Sequence, residues 1–197
     1  MILSLIFGFG QALAAEPPTP DALSWQVIQS KPVEVGCAES GGQTWCRSVG
    51  KTSCKMETLD SLIQDFSSYP STFPRVEFAK VIEGDVVHIY LSMPMPFSPR
   101  DYVVSYKKRP VEEGISFQWT PSPHKDVPVG KKAVRLEEMA GSWTFVPNGD
   151  GTQKMIYIWN ANLKMDVPSW GVPIVRKTQG AEVMDWMNDA CTAEEKK

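Results

Sequence analysis

The chain has 197 residues, 20 of them basic and 23 acidic, for a formal net charge of -3, with 42% hydrophobic residues and four cysteines. That length fits one domain able to bury most of its apolar surface. The slight acidic excess leaves no basic surplus to neutralise phosphates, which excludes a nucleic-acid binder.

Residues 1–15 stand apart: an apolar run is followed by Ala12-Leu13-Ala14-Ala15, small residues of the kind a signal peptidase cuts after. They read as an export signal, too short to span a bilayer comfortably, although no Lys or Arg precedes the apolar run. Export predicts a periplasmic or secreted protein in an oxidising compartment, where Cys37, Cys46, Cys54 and Cys191 form disulfides. The proline-rich residues 16–23 read as an extended linker, 24–190 as the folded domain and 191–197 as a frayed tail.

Trp25, Val27, Ile28, Val33 and Val35 predict one or two strands over 24–35, and the next strand spans 44–54. If Gly41-Gly42 is a two-residue hairpin turn, Ser40 faces Gln43 and Cys37 faces Cys46 at a non-hydrogen-bonded pair, where side chains approach most closely. Cys54 is then left to Cys191, pinning the C-terminal helix to the first part of the sheet. No CxxC or HxxxH spacing occurs and the only histidines are His88 and His124, so no metal or other cofactor is predicted.

Leu59, Leu62, Ile63 and Phe66 recur at helical spacing over 57–66, a helix that Tyr69-Pro70 should end. Residues 77–82 reopen the sheet. An antiparallel pair follows over 85–93 and 101–108, in which Val87, Ile89, Leu91 and Met93 oppose His88, Tyr90 and Ser92 on the first strand, and Tyr102, Val104 and Tyr106 oppose Val103, Ser105 and Lys107 on the second. The proline-rich loop between them carries Met93, Met95 and Phe97, costly to leave in water unless they cover something apolar, and reads as a lid.

Ile115, Phe117 and Trp119 alternate along another strand. Residues 133–138 and 142–146 read as one strand interrupted by a bulge near Gly141, Asn148-Gly149-Asp150-Gly151 as a turn, and 154–162 as the last strand, with Met155, Tyr157 and Trp159 opposite Ile156 and Ile158. Val172, Val175, Val183, Trp186, Met187 and Ala190 mark one side of a final helix with Pro173 in its first turn and a possible kink at Gly180.

The predicted inward residues Val87, Ile89, Leu91, Tyr102, Val104, Ile115, Phe117 and Trp119 suit either a packed core or the wall of a site that buries hydrocarbon. A ten-carbon stretch removed from water supplies roughly 8 kcal/mol before ordering costs. Tyr106 and Arg135, with Glu137, are the candidate polar groups. An inward Arg135 requires an anionic partner, whereas an outward one pairs with Glu137 or Glu138.

Several motifs occur in a characteristic order: Pro96-Phe97-Ser98-Pro99-Arg100-Asp101-Tyr102-Val103, Val134-Arg135, Gly141-Ser142-Trp143-Thr144-Phe145, the Asn-Gly-Asp-Gly turn, and Val167-Pro168-Ser169-Trp170 before the last helix. Together they resemble the START domain, the steroidogenic-acute-regulatory-protein-related lipid-transfer module, across most of 24–190. The resemblance implies an α+β helix-grip fold, a curved antiparallel sheet around a long C-terminal helix enclosing an apolar tunnel. It further implies gating by Met93, Met95, Phe97 and the last helix, binding of a lipid, sterol or fatty acid, transient membrane contact by a monomer, and no covalent chemistry. The export signal, the cysteines and a short N-terminal region depart from the family pattern and leave ligand and partner open.

Two alternatives stand beside it. One is a polyketide cyclase or aromatase-type enzyme using Tyr106, Arg135 or His88 as acid-base groups. The other is a ligand-free structural or interaction domain. No Ser-His-Asp, Cys-His or paired-carboxylate set can be assembled from two histidines and scattered acids.

Overall fold

The computed structural model describes residues 16–130, 132–160, 162–164 and 167–197; the expected export signal lies outside them. Strands β1 (Gln26–Gln29), β2 (Glu34–Ser40) and β3 (Gln43–Thr52) form a meander, followed by helices α1 (Met56–Gln64) and α2 (Tyr69–Thr72). Strands β4 (Val76–Glu83), β5 (Val86–Leu91), β6 (Arg100–Arg109), β7 (Ile115–Pro121), β8 (Val134–Arg135), β9 (Gly141–Pro147) and β10 (Gln153–Asn160) precede the long helix α3 (Val172–Glu194). All lie in one curved sheet of order β1-β2-β3-β10-β9-β7-β6-β5-β4, antiparallel throughout except that β8 runs parallel beside the start of β6.

Turn chemistry sets the register at the first hairpin. Gly41 and Gly42 both have positive φ, 60° and 75°, the pairing that lets a two-residue turn follow the twist of its strands. Ser40 therefore meets Gln43 and Cys37 meets Cys46, with Cα atoms 4.1 Å apart and the sulfurs joined.

Alternation then sorts the sheet into two faces. Val35, Val87, Val104, Phe117, Phe145 and Trp159 belong to the main core, closed by the helices. On the opposite face Trp45, Ala140, Ile156 and Ile158 form a smaller cluster under Leu23 and Trp25. The segment expected to be a free linker instead packs there: Arg47 and the Trp25 indole both donate to the Pro20 carbonyl.

Helix α3 is fastened to the sheet from its middle to its C-terminal end. The Ser48 hydroxyl donates to the Gly180 carbonyl, Thr52 to Asn188, and Cys54 is bonded to Cys191. At Gly180 a Cβ would stand 2.6 Å from Ser48 Oγ and 2.9 Å from the Trp159 ring, so its missing side chain permits a close approach of helix to sheet.

Four further expectations are corrected. Tyr69-Pro70 opens α2 instead of ending α1, because proline needs no amide partner in a first turn. Residues 133–138 and 142–146 belong to separate strands, β8 and β9. Gly141 is no bulge: β9 keeps unbroken register with β7 and β10, and the glycine leaves room for the Trp119 indole, which a Cβ would meet at 2.3 Å. Nor is the tail frayed from Cys191, since α3 runs to Glu194 and the Glu195 carboxylate accepts hydrogen bonds from the Lys55 amide and the Thr58 hydroxyl at the start of α1.

Candidate functional site

Because α3 packs chiefly on β1, β2, β3 and β10 and against the short helices, part of the concave face of β5, β6, β7 and β9 has no helix on it. A cavity of about 280 Å³ fills that space. Small-molecule sites begin at roughly 300 Å³, so this one is compact.

The floor is aromatic. Tyr106 on β6 stacks on Trp119 of β7 (5.5 Å between centroids, planes within 5°), Trp119 lies 5.9 Å from Tyr157 of β10, and Tyr157 lies 4.6 Å from Trp143 of β9. Tyr102, Ile89 and Leu91 continue this wall, Tyr69 and Phe73 close it beside α2, and Val183 and Trp186 close it from α3. The mouth lies between the 93–99 loop and the first half of α3, where the lining residues Pro94, Ile174 and Thr178 are exposed.

Polar groups in the lining are few. Arg75 and Glu182 are its only charged side chains among the described residues, and they pair with each other through Arg75 Nε and Nη2, 3.1 and 2.7 Å from Glu182 Oε2. Thr178 and Gln179 of α3 and four phenols, Tyr69, Tyr102, Tyr106 and Tyr157, supply uncharged polar groups. Desolvation pushes all four phenols above the ordinary value, so each stays protonated at any physiological pH. Tyr69 donates to the Ile63 carbonyl at 2.8 Å, and its hydroxyl neighbours that of Tyr106. The Tyr102 and Tyr157 hydroxyls have no hydrogen-bond partner among the described residues. The partial surface accessibility of Tyr102, Tyr106 and Tyr157 is toward the cavity.

Of the residues predicted for wall and gate, Ile89, Leu91, Tyr102, Tyr106, Trp119, Met93 and Phe97 line this cavity. Met95 lies beside the mouth but points to solvent, 95% exposed. Val87, Val104 and Phe117 share the concave face yet are fully covered, and Ile115 packs against the same core cluster beyond the cavity. Parity identifies a face but not which part of it a helix covers.

Arg135 is a correction. It lies outside the cavity, and its partner is neither Glu137 nor Glu138 but the fully buried Asp101, which it grips through Nε and Nη2 at 3.0 and 2.7 Å. His88 Nε2 lies 3.1 Å from the same carboxylate, so all three belong to the opposite face of the sheet. Asp101 is desolvated, which by itself raises its pKa, but Arg135 and His88 outweigh that and hold it below its ordinary value. Desolvation pulls His88 down despite its acidic neighbour.

The sequence reading missed Tyr69, Phe73, Trp143 and Tyr157. The last two share a face with Phe145 and Trp159 by simple alternation and were legible; the Arg75–Glu182 pair, 107 residues apart, had no local signal. It also missed a clamp. Arg100, 3% exposed, donates to the carbonyls of Leu163 (2.7 Å), Lys164 (3.0 Å) and Ser98, tying the 93–99 loop to the connection before α3.

No protein-family model matches the sequence, and no curated protein matches it. Solved structures do match the fold. The STAR-related lipid transfer protein of Xanthomonas axonopodis superposes with a TM-score of 0.72 at 19% identity, over 85% of this chain and 98% of that one. Human StAR-related lipid transfer protein 5 gives 0.76 at 17% identity over 89% and 90%, and human STARD10 gives 0.72 at 17% over 85% and 73%. The di-domain aromatase/cyclase StfQ of the steffimycin biosynthetic pathway is more distant, 0.52 at 13% over 76% and 45%. The chain has the α+β helix-grip fold of the STAR-related lipid transfer structures.

Proposed function

We propose that this protein is an exported carrier that binds one hydrophobic molecule between its sheet and α3 and passes it to or from a membrane. The observation that carries this reading is the apolar cavity itself, left open where the helix stands away from an aromatic floor. A packed structural domain has no use for such a void, since unfilled space forfeits dispersion contacts at every lining atom.

Other features support the rest. Two disulfides suit an oxidising compartment, and no helix among the described residues is long and apolar enough to cross a membrane. Met95, Trp170 and Ile174 are 95%, 75% and 55% exposed in the two segments that frame the mouth, an apolar rim that a bilayer interface would cover. The 93–99 loop and the start of α3 then act as the gate of a monomeric carrier.

The fold also occurs in an aromatase/cyclase, but that chemistry needs a proton acceptor. Here burial keeps the four phenols protonated and Glu182 is tied to Arg75. Binding without covalent turnover fits this lining.

A vesicle assay tests the proposal: the mature protein should speed movement of a fluorescent lipid between donor and acceptor vesicles, and Met95→Asp with Phe97→Asp should slow it severalfold with the melting temperature unchanged. No acceleration by the unaltered protein would sink the transfer step.

A further inference from the structure

We infer that the cargo is a compact, uncharged ring compound carrying a hydrogen-bond-accepting oxygen at its buried end, recognised by the hydroxyls of Tyr102 and Tyr157. This rests on the carrier reading above and narrows it from hydrophobic molecules in general to one chemical class.

Charge comes first. Arg75 and Glu182, the only ionic groups of the lining among the described residues, neutralise each other. A fatty-acid carboxylate or a phosphodiester drawn inside would find no free cation there, and an unpaired buried charge costs several kcal/mol even after relaxation. The interior therefore selects against anions.

Shape follows. The volume of about 280 Å³ leaves little room for a two-chain lipid. Tyr106, Trp119 and Tyr157 stack on one another, and Trp143 tilts against Tyr157, an aromatic row across four strands that lines the cavity. Edge-to-face and offset contacts between aromatic rings gain more than area burial alone, an advantage open to a planar ring and closed to a saturated chain.

Hydrogen bonding gives the orientation. Tyr102 and Tyr157 line the cavity with no hydrogen-bond partner for their hydroxyls among the described residues, and protonation keeps each a donor. A cargo with a carbonyl or hydroxyl oxygen satisfies them; a plain hydrocarbon leaves both donors unmet in an apolar enclosure, which carries their full desolvation penalty.

The test uses the mature chain with both disulfides intact, stripped of bound lipid, and titrated calorimetrically with menadione and 2-naphthol as ring probes and with palmitate and dioleoylphosphatidylcholine vesicles as chain probes. The expected result is one-to-one binding of a ring probe about tenfold or more tighter than palmitate, with Tyr102→Phe and Tyr157→Phe each weakening it about threefold to tenfold. The two variants keep the rings, and their melting temperatures, measured alongside, should match the parent. Tighter binding of palmitate or phosphatidylcholine, or ring binding indifferent to both substitutions, overturns the ring assignment while leaving carriage intact. Failure of every probe to bind overturns both.

Discussion

The Ser48 hydroxyl donates to the Gly180 carbonyl at 3.0 Å, so the middle of α3 touches the floor of β3 with no side chain between them. That contact, with the Cys54–Cys191 bond farther along, fixes one face of the helix on the sheet, while the flank that carries Gln179, Val183 and Trp186 borders the cavity. The cavity lies beside the fastened face of the helix, over strands that the helix does not cover.

Gly180→Ala checks this directly. Alanine favours a helix by up to about 1 kcal/mol over glycine, yet here its Cβ meets Ser48 and Trp159 below 3 Å. Overpacking of this kind costs about 1–3 kcal/mol, so urea unfolding should show a net loss of stability. A gain would mean the helix does not approach the sheet so closely.

Leu91 and Phe117 separate cavity from core. Leu91 lines the void, whereas Phe117 is 1% exposed in packed surroundings. Leu91→Trp should reduce ligand binding about tenfold or more with little change in melting, while Phe117→Trp should destabilise by about 1–3 kcal/mol. Equal effects of the two substitutions would erase the boundary drawn between them.

Glu182→Gln should matter to exchange more than to stability. Its side chain and that of Arg75 are each about a third exposed, so solvent screening keeps the pair below about 1 kcal/mol in unfolding measurements. The pair nevertheless bridges the sheet edge to α3 at the mouth, and stopped-flow release of a bound probe should become faster in the variant. An unchanged rate would place the gate elsewhere.

Asp101 governs acid stability from the far side of the sheet. His88 has its folded pKa below the ordinary 6.5, so the unfolded chain takes up that proton first and stability declines as pH drops below about 6.5. Asp101 is also depressed below 3.8; its contribution is present above that value and is lost as pH falls further through its folded pKa. Asp101→Asn should cost about 3–5 kcal/mol by leaving the Arg135 charge unpaired, and should leave ligand affinity unaltered in the folded fraction. A variant that stays stable but loses affinity would return Arg135 to the binding site.

Much of this fold was legible in the sequence because period-2 patterning and glycine turns are local signals. Cys37 opposite Cys46 follows from counting outward from Gly41-Gly42, and Ile89, Leu91, Tyr102 and Trp119 follow from parity. What parity does not carry is depth: Val87 and Val104 occupy the same face as Ile89 and Tyr102 but lie within the packed core. Arg135 was misplaced for a related reason, since β8 is a two-residue parallel strand whose partner, Asp101, lies 34 positions away. Gly141 and Gly180 read locally as breakers, and only the assembled sheet reveals that each makes room for a neighbour, the Trp119 indole in one case and Ser48 in the other.

Native mass spectrometry of the mature protein, purified without detergent and followed by organic extraction, bears most directly on the carrier reading. The expected spectrum contains a one-to-one complex whose added mass disappears on extraction and returns with a hydrophobic compound in the organic phase. A bare polypeptide mass that persists after incubation with lipid vesicles and with small ring compounds would contradict it.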